Sequence, residues 1–420
     1  MCIFCGVACF FSHLSGAITA VTRGDIPSPQ SSDPLLTSRP PFISIDEDCN
    51  SSSLTESERH VLALLFRRGP QTQAYLADGT GLTQQSMSRL FSKLESWGML
   101  VVGDKLAPGK RGYPSNAAAL NPRFARSAGV AIMADSVALA VCDFAGALVW
   151  EASDRLPAMT VDNVLGWTGH KLASIVGDGG PPLSGIGIGI AGSFIGERTG
   201  FNTPFYLNDW AERDVEAIFR KQFGLPACAD NDGNVAALGE AMLGVGHWAE
   251  NFAYLYISAG VGGGVVLDGE VWRGRYGNAG EFAGGLASNI HPFPNLELLR
   301  QLTARHGPTY ETVSELVANY DPAWPSIDIW ISRVRDSLSI IASNASAILD
   351  VDAIVLGGLI PRNLAERVIP AIEFFDQRRR MTPRPIARIV PAEAPGNATA
   401  IGAAMLPLKR AYLSKAKRSF

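Results

Sequence analysis

The chain has 420 residues, 47% of them hydrophobic and 18% charged, with a net charge of −4. This excludes a low-complexity chain and allows two or three domains with sizeable cores. The overall charge offers no general attraction to nucleic acid, but it is unevenly spread. Leu54 to Arg126 carries ten Lys/Arg against five Asp/Glu, and Ser127 to the end carries 24 against 30. The pattern is a basic module joined to an acidic body.

Four of the six cysteines, Cys2, Cys5, Cys9 and Cys49, lie in the first 49 residues; Cys142 and Cys228 lie beyond. A disulfide framework would spread through the fold, so the body reads as reduced and cytoplasmic. The opening M-C-I-F-C-G-V-A-C-F-F is too short to span a membrane and lacks the basic start of a secretory signal. Residues 1–53 read as a disordered extension rich in Ser, Pro and Asp, or as the product of a start codon assigned too far upstream. A metal site on Cys2, Cys5 and Cys9 is the minor alternative, because that spacing matches ligand patterns only loosely.

Ordered structure is expected from Leu54, with a first module over 54–122. Thr55 and Glu58 form a capping box at the head of a helix whose apolar face is Val61, Leu62, Leu64 and Leu65, and Gly69-Pro70 end it. A short helix follows from about Thr72 to Asp78, then a turn at G-T-G-L. The third helix is capped by Thr83 and places Met87, Leu90, Leu94 and Trp97 on its core face. Gln84, Gln85, Ser88, Arg89 and Lys93 remain on its open face or edges. Three helices with a tight turn before the last, then two strands with a basic tip at Lys110-Arg111, predict a winged helix-turn-helix. The chemistry suits double-stranded DNA. Thr83 and the glutamines face the groove, glutamine matching adenine edges. Arg89 and Lys93 reach phosphates, and Lys110 and Arg111 reach a phosphate or the minor groove.

The body holds one pattern twice. Residues 128–150 read as strand, turn, strand, Ala-Gly turn, strand. Residues 252–272 read as strand, Gly-rich turn, strand, Asp-Gly turn, strand, and Asp-Gly is a strong hairpin signal. G-I-G-I-G-I-A (185–191) and A-I-V-L-G-G (353–358) are further buried strands, and a long helix is expected from about Asp328 to Leu349. A repeat of this kind with helices between predicts two similar α/β lobes facing each other, the actin-like ATPase architecture. The body is placed at 127–420, with lobe 1 about 127–230 plus the C-terminal helix and lobe 2 about 231–400.

From Leu54 onward the chain resembles the ROK family of repressors, open reading frames and sugar kinases. The resemblance is carried by A-D-N-D-G-N-V-A-A-L-G-E (229–240), G-N-A-G-E-F (277–282), V-L-G-G-L-I (355–360) and G-I-G-I-A-G (187–192). The winged helix ending in G-K-R-G-Y-P fits it too. It implies that Asp232 matches the general base of the kinases and that Asn231 and Glu281 join it in a sugar pocket. Asn208 and Asp209 match another sugar-side loop more loosely. An Asn-Asp pair ahead of a helix is also a cap, so capping can be a second role for Asn231-Asp232.

On the nucleotide side the chain departs from the family. Where the kinases carry an Asp, two glycines and a Thr at the first hairpin, it has Ala131, Met133-Ala134 and Asp135. Asp135 sets a negative charge where a polyphosphate would lie. At the second hairpin Ser258-Ala259-Gly260 replaces Gly-Thr-Gly. Gly260, Gly262, Gly263 and Gly264 remain, as do Gly357 and Gly358, and the tight turns of the fold account for them. The family's zinc ligands are missing, since Glu281 is followed by Phe282-Ala283-Gly284 and no Cys occurs after Cys228. No metal or cofactor is therefore expected.

The expected function is a sugar-responsive DNA-binding repressor of carbohydrate metabolism. Its partners would be operator DNA and a sugar or sugar derivative that it does not phosphorylate. It would act as a homodimer or homotetramer away from the membrane. The alternatives are an ATP-dependent sugar kinase with an accessory DNA-binding domain, and a protein-interaction module.

Overall fold

The structure is a computed structural model that describes residues 54–106, 115–176, 179–196, 200–287, 289–375 and 385–413. The expectations for the first 53 residues, including the cysteines there, and for Lys110 and Arg111 lie outside the described residues.

Three helices lead: α1 (Glu56–Arg68), α2 (Gln73–Thr80) and α3 (Gln84–Ser96), with the short strand β1 (Gln71–Thr72) between the first two. The strands β2 (Leu100–Leu106) and β3 (Ser115–Leu120) follow, and the sheet order is β1-β3-β2. This is a winged-helix layout. The capping box forms as the sequence predicts. The Glu58 amide donates to Thr55 Oγ1, and the Thr55 amide donates to Glu58 Oε2 at 2.8 Å. Helix α2 starts after its Thr72 cap and runs to Thr80, past the expected end, until Gly81 turns left-handed at φ 68°. Helix α3 buries Met87, Phe91 and Leu94. Leu90 and Trp97 pack against the same core, partly buried, and Phe91 joins them there, because positions four and seven after Met87 share one stripe.

The first lobe opens with β4 (Arg126–Ile132), β5 (Ser136–Asp143) and β6 (Leu148–Arg155). Then come α4 (Val161–Val176), β7 (Leu183–Ile190), the small pair β8 (Ser193–Ile195) and β9 (Gly200–Asn202), α5 (Val215–Phe223), β10 (Ala227–Asn231) and α6 (Asp232–Leu243). The second lobe opens with β11 (Phe252–Ile257), β12 (Val261–Leu267) and β13 (Glu270–Trp272). It continues with α7 (Leu296–His306), α8 (Val313–Ala318), α9 (Pro325–Leu349), β14 (Ala353–Gly358), α10 (Arg362–Val368), β15 (Arg388–Pro391) and α11 (Ala398–Leu408). Helix α9 begins at Pro325, ahead of the expected Asp328, because proline suits the first turn.

The sheets run β10-β7-β4-β5-β6 and β15-β14-β11-β12-β13. Each is an antiparallel three-strand meander whose first strand also pairs in parallel with a later strand. The repeat read in the sequence is thus a repeat of topology. Asp268 and Gly269 both take positive φ at the β12–β13 turn, as an Asp-Gly hairpin requires.

The central strands are buried on both faces, so each side-chain set has its own layer. On β11, Ala253, Leu255 and Ile257 pack outward with α7 and α9, while Phe252, Tyr254 and Tyr256 face the inner core. On β4, Ala128, Val130 and Ile132 pack outward and Ala131 faces inward. Fully burying Val130 or Ile132 contributes about 2 kcal/mol each. The inner core, built on α6 and α11, continues without a break into Val61, Leu62 and Leu65 of α1. Arg59 Nη1 donates to the Ala411 carbonyl at 2.7 Å, and Phe124, Phe144 and Tyr412 cluster beside it, Tyr412 edge-on to both phenylalanines.

Candidate functional site

The site forms where β10 ends and α6 begins. Asn231 caps α6, its Oδ1 accepting from the amides of Gly233 (2.8 Å) and Asn234 (3.3 Å). Its Nδ2 donates to the Gly192 carbonyl at 2.9 Å. The capping role is therefore real, and it fixes the loop opposite. Behind it, Asp230 is buried. Its Oδ2 accepts from Arg273 Nε at 2.6 Å and its Oδ1 from Asn234 Nδ2 at 2.9 Å. This ion pair ties α6 to the 273–281 segment. Asn278 fastens the same segment to Phe194, accepting from its amide (2.7 Å) and donating to its carbonyl (3.0 Å). Asp230, Arg273 and Asn278 were not singled out in the sequence, where nothing marks an Arg and an Asp 43 residues apart as partners.

Three glycines let the backbones cross closely. A side chain on Gly233 or Gly280 would strike the backbone of Gly263. The crossing brings Glu281 into the electrostatic field of Asp232. Burial, with a smaller push from Glu281, raises the Asp232 carboxyl to a pKa of about 6. Burial alone raises Glu281. A carboxylate so poised accepts hydrogen bonds from hydroxyl groups and can take a proton from one.

Asp232 lines a cleft cavity with Met133 and Asp135 from the β4–β5 turn, Ser258 and Ala259 from the β11–β12 turn, and Tyr206. The sequence-predicted hairpin residues and the predicted acid therefore do meet. Burial, helped by the charges of Asp232 and Asp135, pushes the Tyr206 hydroxyl up to about 12. Tyr256 also faces the cavity and accepts from Thr399 Oγ1 at 3.1 Å. Neither tyrosine was found from the sequence, since an aromatic in an apolar strand or loop reads as core.

Asp135 is not left open to solvent. Ser314 of α8, in the other lobe, donates to its Oδ1. Ser314 also lies 3.3 Å from the Ser136 hydroxyl, and Arg155 Nε is 3.6 Å from Asp135 Oδ2. This bridge spans the cleft at the first hairpin. The cavity beneath it holds about 20 Å³, room for a single water. A sugar is larger than this cavity.

Other predicted residues sit differently. Asp209 Oδ2 accepts from the Val161 amide at 2.8 Å and its Oδ1 from Arg213 Nη2 at 2.8 Å, so its carboxylate anchors the start of α4. Asn208 is exposed on the turn that carries Tyr206. Ala131 is fully buried in β4. Gly263, Gly264, Gly357 and Gly358 are packed against neighbouring atoms, Gly357 against the Tyr254 ring. Gly260 and Gly262 are not: a side chain at either would meet open space, and neither has a positive φ. Tight turns do not account for those two glycines, which corrects the expectation.

On the winged helix, Thr83, Gln84, Gln85, Ser88 and Arg89 form an exposed face. Thr83 caps α3, accepting from the Ser86 amide at 3.2 Å. Lys93 turns away from that face. Its Nζ is 2.6 Å from Glu58 Oε1 and 4.5 Å from the Trp97 ring centre. Among the described residues no three His, Cys, Asp or Glu are grouped to hold a metal ion, and no helix is long and apolar enough to cross a membrane.

A two-lobed α/β body with the actin-like, sugar-kinase topology follows a winged helix, and Asp232 stands in its cleft. Residues 127–289 match the ROK family, and the chain carries a ROK family domain. The uncharacterized protein y4fQ of Sinorhizobium fredii is 28% identical over 86% of the chain and 93% of its own length. The glucokinase of Halalkalibacterium halodurans is 34% identical over 33% of the chain and 46% of its own length. The xylose repressor of Bacillus subtilis is 24% identical over 54% of the chain and 59% of its own length. The chain thus spans less than two thirds of each of the last two. The crystal structure of a ROK family transcriptional regulator, a homologue of the E. coli MLC protein, superposes with a TM-score of 0.61. It is 18% identical and covers 85% of this chain and 96% of that one, a likeness of fold.

Proposed function

We propose that this protein is a sugar-responsive DNA-binding transcriptional repressor whose cleft binds a sugar or sugar derivative without phosphorylating it. The observation that supports this reading is that Asp232 and Asp135 line one cleft cavity. Asp232 suits hydroxyl groups, while Asp135 and Ser314 stand at the hairpin where a polyphosphate would approach. A phosphate there meets the Asp135 carboxylate, and like charges repel. The exposed face of α3 supplies groups for base edges and phosphates. Sugar binding that parts the lobes changes the seat of α1, and the effector shifts DNA affinity in proportion to its preference for one state. Asn231 and Glu281 join Asp232 as sugar contacts, with Asn208 at the rim. The protein acts in the cytoplasm as a dimer or tetramer on paired half-sites, and it uses no metal or cofactor.

The test is binding of the full chain to a fragment of its own promoter at moderate salt, with xylose, glucose and their phosphates added in turn. Retention of the fragment, altered by one sugar and weakened by Arg89→Ala, is the expected result. Failure to bind the fragment overturns the reading.

A second reading, a sugar kinase with an accessory DNA-binding domain, is favoured by Gly260 and Gly262. Their open surroundings suit close approach of a ligand to the backbone. Sugar-dependent ATP turnover that Asp232→Asn abolishes would establish it.

A further inference from the structure

Away from the cleft, a cavity of about 250 Å³ lies between α1 of the winged helix and the body. We propose that it is a second ligand site, for a small organic carboxylate with a compact apolar body. The body's share of the wall comes from the end of α6, Glu250 ahead of β11, the β12–β13 turn and the C-terminal turn that follows α11.

The apolar surface is Leu64 and Phe66 from α1, Met242 from α6 and Leu413 from the C-terminal turn. The charged surface is Arg67, Arg68 and Lys409, set against Glu250 and Glu270. The acids are spoken for: Arg67 Nη1 pairs with Glu250 at 2.8 Å and Lys409 with Glu270 at 2.8 Å. That leaves one positive charge in excess. Arg68 is exposed and has no charged partner among the described residues. A single carboxylate beside Arg68 balances that excess charge. The cavity is slightly smaller than the usual span of ligand pockets, which sets the size of the apolar part at one or two rings.

Another occupant within reach is the chain's own end. Residues 414–420, S-K-A-K-R-S-F, directly follow Leu413 and carry three cations. Three more positive charges beside Arg67, Arg68 and Lys409 are repelled, which favours the anion. A ligand here touches α1 and the body together, so it sets the seat of the DNA-binding module independently of the cleft. Binding at this site does not depend on the sugar reading; only its consequence for DNA does.

The probes are indole-3-acetate and 3-phenylpropionate, with indole-3-acetamide and 3-phenylpropionamide as uncharged controls. They are titrated by calorimetry into the full chain. The expected result is saturable binding of at least one acid with a Kd of about 0.1–1 mM, as suits a ligand of a dozen heavy atoms. Its amide should bind about tenfold more weakly. Arg68→Gln, an exposed change that spares the fold, should weaken the acid about tenfold. Ala63→Trp, which fills the cavity from α1, should abolish binding. No saturation by either acid up to about 10 mM overturns the proposal. So does equal binding of acid and amide, or binding that neither variant alters. Binding that appears only after residues 414–420 are deleted overturns it as well, and assigns the cavity to the chain's own end.

Discussion

Asp232 is kept in an environment that disfavours its charge. Its carboxyl is raised from 3.8 to about 6, first by burial and then by Glu281, against the hydrogen bonds that Gly233 provides. A raised acid holds its proton in the folded chain at pH values where the unfolded chain has lost it. Its contribution to stability is therefore greatest below about pH 4 and falls as pH rises through 6. Asp232→Asn should stabilise the protein at pH 7 by on the order of 2 kcal/mol and flatten the fall between about pH 4 and 6. Urea melts across that range check it. An unchanged pH profile would mean that the carboxylate is not held this way. A site residue that costs stability is expected where function, and not packing, selects it.

The element that faces outward is α3, and its cations are not equivalent. Arg89 lies on the exposed face, whereas Lys93 is engaged by Glu58, whose side chain is only 5% exposed. Glu58 also closes the α1 capping box through its other oxygen. One carboxylate thus holds the start of α1 and the last turn of α3 together. Arg89→Ala should lower the dependence of DNA affinity on log salt by about one, the loss of one phosphate contact. Lys93→Ala should leave that slope unchanged and should instead lower the melting temperature, because it removes the partner of a nearly buried acid. Equal slope changes in the two variants would place Lys93 on the DNA.

Across the whole molecule, two bridges set how the parts move. One is the seat of α1 on the body, through Arg59 and the 409–413 turn and through Arg67 and Glu250. The other is the Ser314–Asp135 contact that joins the lobes over the cleft. A hydrogen bond to a charged group contributes roughly 1.5–3 kcal/mol, so its loss is felt as easier opening. Ser314→Ala should speed amide hydrogen exchange at residues 133–136 and 313–316 by about tenfold or more, with little change in the sheets. No change in exchange there would show that other contacts keep the lobes together.

The sequence by itself determined what short-range chemistry controls. The Thr55–Glu58 box, the Thr83 cap and the Asp268-Gly269 turn all lie within a few residues of their cause. The repeated lobe was legible because the same local pattern occurs twice. The tertiary structure decided what depends on partners far along the chain. Lys93 meets Glu58 across 35 residues, and Asp135 meets Ser314 across 179. Which glycines are jammed by a crossing backbone and which stand open depends likewise on neighbours brought together by folding. So does the cavity under α1, whose walls come from five separate stretches of chain. A cap needs only its own turn of helix, but an ion pair, a bridge or a cavity needs two surfaces placed by the packing of everything between them.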